Sequence, residues 1–170
     1  MISNEQLQQH FVTAPMHYYF HRKLAHLEAK EINIRIEELL KYLNMATFCN
    51  GDIPFSKDID EVWHYWIMET VEYEVLCKKL TGEGFFHHSS NDYAEYFNPE
   101  VKQQKPDFNR GLEILVAYVL NYGEFEEDRV QHWPLAQRIM ELRNWNTQQL
   151  NKWLTEILDN STEIHHQKRY

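Results

Sequence analysis

Residues 57–80 read KDIDEVWHYWIMETVEYEVLCKKL and predict one long helix. At about 100° per residue, its two faces differ in character. One face carries Ile59, Trp63, Trp66, Thr70, Tyr73 and Cys77, and the other carries Asp60, His64, Ile67, Met68, Val71 and Val75. Because both faces are largely apolar, we expect the helix to be packed on two sides. Ser56 or Asp58 can cap its start, and the Thr-Gly-Glu-Gly turn at 81–84 ends it.

Helical patterns continue on both sides of this segment. We expect helices over about 3–12, 14–49, 108–122, 134–143 and 147–158, the 108–122 helix being the most apolar and central. Thr13 and Asp107 can cap the second and third of these helices, and Pro134 can start the fourth. Residues 85–107 hold two prolines and a polar run, which favours a long ordered loop. The sequence therefore predicts an all-α fold, a single compact multi-helix domain of about five to six helices over 1–158, with a flexible tail over 159–170.

Composition narrows the class of protein. The 170-residue chain has a net charge of -9 and no basic stripe, which argues against a nucleic-acid partner. It contains no apolar run of about 18 residues and no signal-peptide pattern, so we expect no membrane partner and a cytoplasmic location. Two cysteines, Cys49 and Cys77, suit a reducing compartment. Oligomeric state has no signature in the sequence.

Asp60 and His64 lie four residues apart, one turn along the predicted helix. At this spacing the carboxylate can accept a hydrogen bond from one ring nitrogen and fix the tautomer, as it commonly does for a metal-binding or proton-transferring histidine. The alternative is a carboxylate at the helix start paired with a partly buried histidine. Perturbed ionisable groups cluster at functional sites only statistically, so both interpretations stay open.

A second pair, His87 and His88, follows Phe85 and Phe86. Adjacent residues of an extended chain point to opposite sides, so at most one of these histidines faces any given site. If the loop folds back over the helix, His64, His88 and Asp60 form a two-histidine, one-carboxylate set that suits a divalent metal. The alternative is a loop held in place by buried Phe side chains and a histidine bonded to the backbone.

Other metal ligands are weaker candidates. Cys77 lies 13 residues from His64, about 20 Å along a straight helix and on a different face, so we expect it to pack as a small apolar residue. His17 and His21 have chelating i, i+4 spacing, but on a solvated helix such a pair is usually a surface feature.

Several of these residues resemble a known family. The run Ile-Asp-Glu-Val-Trp-His at 59–64, followed by Thr70, Tyr73 and Cys77 and by Gly-Phe-Phe-His-His at 84–88, is similar to the glycine-rich domain-containing protein family in its bacterial short form, without the glycine-rich tail. Tyr118, Tyr-Gly at 122–123 and Trp-Pro at 133–134 extend the likeness over about 50–134, although Tyr122 stands where the family often has Phe. The resemblance implies a helical domain, but it does not indicate an activity. It marks six positions, Asp60, Trp63, His64, Tyr73, Cys77 and His88.

Two classes of function follow from these patterns. The first is a binding or accessory protein that recognises a protein or small-molecule partner through an aromatic and histidine pocket. Its candidate ligand-binding residues are Trp63, His64, Trp66, Tyr73, Phe86 and His88. The second is a metal-dependent enzyme that uses His64, a loop histidine and a carboxylate, with a divalent metal as its cofactor. A purely structural role for the Trp-His motif is the third possibility.

Overall fold

The computed structural model describes residues 1–49, 54–82, 84–88 and 108–167, with side chains up to 159. Within these ranges the chain forms helices and no strand, which confirms the all-α prediction. The helices are α1 (Asn4–Phe11), α2 (Ala14–Lys23), α3 (Ala29–Ala46), α4 (Lys57–Met68), α5 (Thr70–Thr81), α6 (Phe108–Tyr122), α7 (Glu127–Val130), α8 (Pro134–Arg143) and α9 (Thr147–Gln167). There are more of them than predicted, partly because two predicted helices are broken.

Three helix starts follow the capping signals in the sequence. The side chains of Ser3, Thr13 and Ser56 accept hydrogen bonds from the backbone N–H groups of Gln6, Met16 and Ile59. The last helix, α9, runs past its predicted end near 158 to Gln167. The predicted Asp107 cap and most of the predicted 85–107 loop lie outside the described residues.

The first break separates α2 from α3, where the sequence predicts a continuous helix. The chain leaves helical geometry at Leu24 (φ -101°, ψ 26°) and turns before α3 begins at Ala29. Phe20, Leu24 and Ile36 are fully buried, so the turn lets both helices place apolar side chains in the same core. Neither Gly nor Pro marks this turn.

The second break divides the predicted 57–80 helix at Glu69 (φ -92°, ψ 71°). Trp63 and Tyr73 remain in the core on either side of it, whereas Met68 is 67% exposed and Val71 74% exposed. The expectation that this segment is packed on two sides is therefore wrong. Its second face lies at the surface.

The central helix is α3 rather than α6. It packs against α1, α2, α4, α6 and α7, and Leu39, Leu40 and Leu43 are fully buried. By contrast, Leu120 of α6 is exposed. None of the helices among the described residues is long and apolar enough to cross a membrane.

A buried charged cluster joins α3 to later parts of the chain. The Glu38 carboxylate accepts hydrogen bonds from Lys41 Nζ (2.8 Å), Arg129 (3.1 Å), Trp133 Nε1 (2.8 Å) and the Tyr118 hydroxyl (3.1 Å). Burial lowers the pKa of Lys41, and the nearby carboxylate opposes this effect. Because each of the two buried cations contacts a carboxylate, the cluster avoids the large cost of an unpaired buried charge.

Candidate metal centre

The helix α4 places Asp60 and His64 on one face, as their spacing predicts. His64 Nδ1 lies 2.7 Å from the main-chain oxygen of Asp60 and 3.3 Å from its carboxylate Oδ2. A carbonyl oxygen can only accept a hydrogen bond, so Nδ1 carries the proton and the lone pair of the neutral ring is on Nε2. The backbone carbonyl, more than the carboxylate, orients this ring.

His88 completes the cluster from the non-helical segment 84–88. Its Nε2 lies 2.8 Å from Asp60 Oδ1, and its ring centroid is 4.4 Å from that of His64. One ligand atom from each of Asp60, His64 and His88 lies within 4.8 Å of the others. In the described part of the chain, this is the group of three His, Cys, Asp or Glu side chains whose ligand atoms lie close enough together to hold a metal ion.

Two hydrogen bonds, one buried and one partly buried, fix the position of this segment. Trp63 Nε1 donates to the Tyr73 hydroxyl (2.9 Å), which in turn donates to the main-chain oxygen of Phe86 (2.8 Å). Burial raises the pKa of Tyr73, so its hydroxyl keeps the proton that it donates. The Trp63 ring also meets the His88 ring edge-on, with centroids 4.6 Å apart. The network therefore places His88, two residues beyond Phe86, over the α4 face.

The remaining predicted ligand-binding aromatics lie beneath the site or away from it. Trp63, Trp66 and Tyr73 are all buried in the core, and Trp66 meets Phe20 edge-on at 5.2 Å. Phe86 is half-buried. These side chains support the surface that carries the histidines and expose little of their own area to a ligand.

The other candidate ligands stay outside the cluster. Cys77 is fully buried with a free thiol, as expected for a small apolar residue. His87 is exposed and its ring lies 5.2 Å from that of Phe85. His17 and His21 have ring centroids 4.3 Å apart, and His21 Nε2 lies 3.2 Å from Asn33 Oδ1. They offer two ligands on a different helix.

The cluster is open on one side. The side chains of His64, Asp60 and His88 are 54%, 37% and 15% exposed, so solvent reaches the ligand atoms from the surface. Three protein ligands leave at least one coordination position for water or another ligand on a four-coordinate ion. The arrangement is suited to an ion that also binds water or a second ligand at its open position.

The sequence did not reveal the Glu38 cluster or the surroundings of His132. His132 is buried, with its ring nitrogens 3.7 Å from Glu31 Oε1 and from Asp58 Oδ2. The signal available was the Glu-Glu-Leu-Leu-Lys run at 37–41, where charges interrupt an apolar pattern.

Comparison of the chain with protein-family models, curated proteins and solved structures gave no match. The resemblance to the glycine-rich domain-containing family therefore stays a prediction.

Proposed function

We propose that this protein binds a divalent transition-metal ion through Asp60, His64 and His88 and uses its open coordination positions to bind a small-molecule ligand. The observation that carries the proposal is the 2.8 Å approach of His88 Nε2 to Asp60 Oδ1 beside His64. A divalent ion would take the place of the proton that these two atoms share.

The donor set indicates the class of ion. Two imidazoles and one carboxylate suit zinc, iron, cobalt or nickel, whereas calcium and magnesium prefer sites made of oxygen donors alone. The fixed Nδ1–H tautomer of His64 and the hydrogen-bonded segment that carries His88 are the kind of outer support that metal-binding histidines require.

The predicted aromatic and histidine pocket takes a different form in this proposal. Trp63 and Tyr73 lie under the histidines and support them. The ligand would be bound by the ion, and not by the aromatic side chains as the sequence analysis expected. An ion in this position could also polarise a bound carbonyl group or lower the pKa of a bound water, which is the chemistry that the enzyme hypothesis needs. Five of the six positions marked by the family resemblance lie in this connected set.

Elemental analysis of the untagged protein tests the proposal. Purified after exposure to equimolar zinc and gel filtration, the protein is expected to retain about one ion per chain. His64→Ala and His88→Ala should lose it, while His17→Ala, which removes a histidine of the α2 pair, should keep it. Protein that retains no zinc, or that retains it equally in His88→Ala, would overturn the proposal.

A further inference from the structure

Exposed apolar side chains follow His64 along α4 and α5. His64 and Met68 are four residues apart in α4, so Met68 lies one turn beyond the histidine on the same side of the helix, with Ile67 beside it. Met68 is 67% exposed. Beyond the break at Glu69, Val71 and Val75 are also exposed. Large apolar side chains grouped at a surface commonly mark a binding site.

The net charge of the metal-loaded site determines which group of a ligand can bind the ion. Of the three protein ligands, Asp60 alone carries a negative charge, because both histidines bind a metal as neutral imidazoles. A divalent ion in this set retains a net charge of about +1 and has at least one open position. A carboxylate matches both properties, since it carries one negative charge and an oxygen donor that such ions accept.

We infer that the metal centre binds a carboxylate whose apolar chain lies along the Ile67 and Met68 turn of α4. The inference rests on the proposed metal site and specifies its ligand class. The carboxylate coordinates the ion beside His64, and Met68 acts as a residue that determines specificity for the chain. Because the ligand chain would stay half exposed on this surface, each added methylene should raise the affinity roughly two-fold. This is less than the effect of complete burial.

Cobalt(II)-loaded protein provides a direct test, because its visible absorption responds to a change in coordination. Acetate, butanoate and hexanoate are titrated into it. We expect all three to change the spectrum, with hexanoate, which has four more methylenes, binding about 16-fold more tightly than acetate. Hexan-1-ol, which has the same chain without the charge, should leave the spectrum unchanged.

Two variants separate the role of the chain from that of the ion. Met68→Ser should reduce the advantage of hexanoate over acetate to about three-fold or less and leave acetate affinity unchanged. Leu142→Ser, an equally exposed apolar residue on α8, should preserve the full advantage. Equal affinity for acetate and hexanoate in the original protein, or an unchanged hexanoate advantage in Met68→Ser, would overturn the inference.

The same experiment distinguishes the two proposals. If the protein does not bind cobalt at all, the proposed metal site fails. If cobalt binds and its loss follows His64→Ala and His88→Ala, but carboxylates leave the spectrum unchanged, the metal site stands and the carboxylate ligand is wrong.

Discussion

His88 Nε2 lies 2.8 Å from Asp60 Oδ1, although 28 residues separate the two along the chain. Asp60 belongs to a regular helix, whereas His88 belongs to the non-helical segment 84–88. The contact therefore depends on whatever holds that segment, and the Trp63–Tyr73–Phe86 hydrogen bonds do so. Metal affinity and the integrity of this buried network should be linked.

Tyr73→Phe tests that link. The substitution removes the hydroxyl that donates to Phe86 and leaves Trp63 Nε1 without its acceptor, while the ring still fills the core. Because His88 is then poorly positioned, we expect zinc affinity to fall about 10- to 100-fold, measured by competition with a chromophoric chelator. The free energy of unfolding should fall by roughly 1–3 kcal/mol.

Tyr122→Phe is the matched control for this prediction. It also removes a partly buried tyrosine hydroxyl, one that accepts from Asn44 Nδ2 at 2.6 Å on the α3–α6 contact. It should cost comparable stability and leave zinc affinity unchanged. An equal loss of zinc affinity in both variants would assign the effect to general destabilisation and contradict a positioning role for Tyr73.

The sequence predicts those parts of the fold that are governed by local signals. Thr13, Ser56 and Pro134 mark helix starts because capping and proline chemistry act within a few residues. The turn after Leu24 and the break at Glu69 carry no such residue, because burial of side chains distant in sequence determines them. Tertiary packing decides these two positions and local propensity does not.

At the candidate site, too, local spacing predicts one contact and tertiary packing decides another. The i, i+4 spacing is sufficient to place Asp60 beside His64. The sequence identifies the adjacent histidines but leaves open which one faces the site, since that depends on the bond from Tyr73 to the Phe86 carbonyl 13 residues away. In the Glu38 cluster, Lys41 lies three residues away, but Tyr118, Arg129 and Trp133 are more than 75 residues distant, so the charged run at 37–41 could not identify them.

Glu38→Gln should destabilise the protein strongly. The change keeps the shape of the side chain but removes the charge paired with Lys41 in the core, whereas Arg129 keeps its ion pairs with Glu37 and Glu126. An uncompensated buried charge costs about 3–5 kcal/mol, which urea denaturation would detect as a large drop in the midpoint.

Glu74→Gln offers the comparison for Glu38→Gln. It removes a carboxylate from an ion pair with Lys78 in which both side chains are more than half exposed. Exposed pairs of this kind contribute little, so its midpoint should stay close to that of the original protein. A loss of similar size in both variants would show that the Glu38 cluster contributes no more than a surface pair.

His132 should make stability depend on pH. Burial lowers its pKa, more than the carboxylates of Glu31, Glu38 and Asp58 raise it, and Arg35 acts in the same direction as burial. The folded state therefore favours the neutral ring. Its contribution to stability is complete above about pH 6.5, the pKa of an unperturbed histidine, and declines as the pH falls through the folded pKa.

Urea denaturation at pH 7.5 and 5.5 measures this contribution in the protein and in His132→Gln. The variant should lose less stability between the two pH values, because its side chain has no proton to gain. His26→Gln, which changes an exposed histidine, should behave like the original protein. The same pH dependence in all three proteins would rule out a contribution from His132.

Asp60→Asn separates the charge of the metal centre from its shape. An asparagine oxygen can still accept a hydrogen bond from His88 Nε2, and Asp60 is partly exposed, so metal-free stability should change little. At a free zinc concentration 100 times its dissociation constant, the original protein should gain about 2.7 kcal/mol, or roughly 5–10 °C in melting temperature. The variant should lose most of that gain, because a neutral amide binds a divalent ion far more weakly than a carboxylate.

Asp58→Asn is the control, because Asp58 lies two residues earlier and is similarly exposed beside Arg35. With zinc, this variant should melt at the same raised temperature as the original protein. If zinc raises the melting temperature of Asp60→Asn by the same amount, the ion binds elsewhere on the chain.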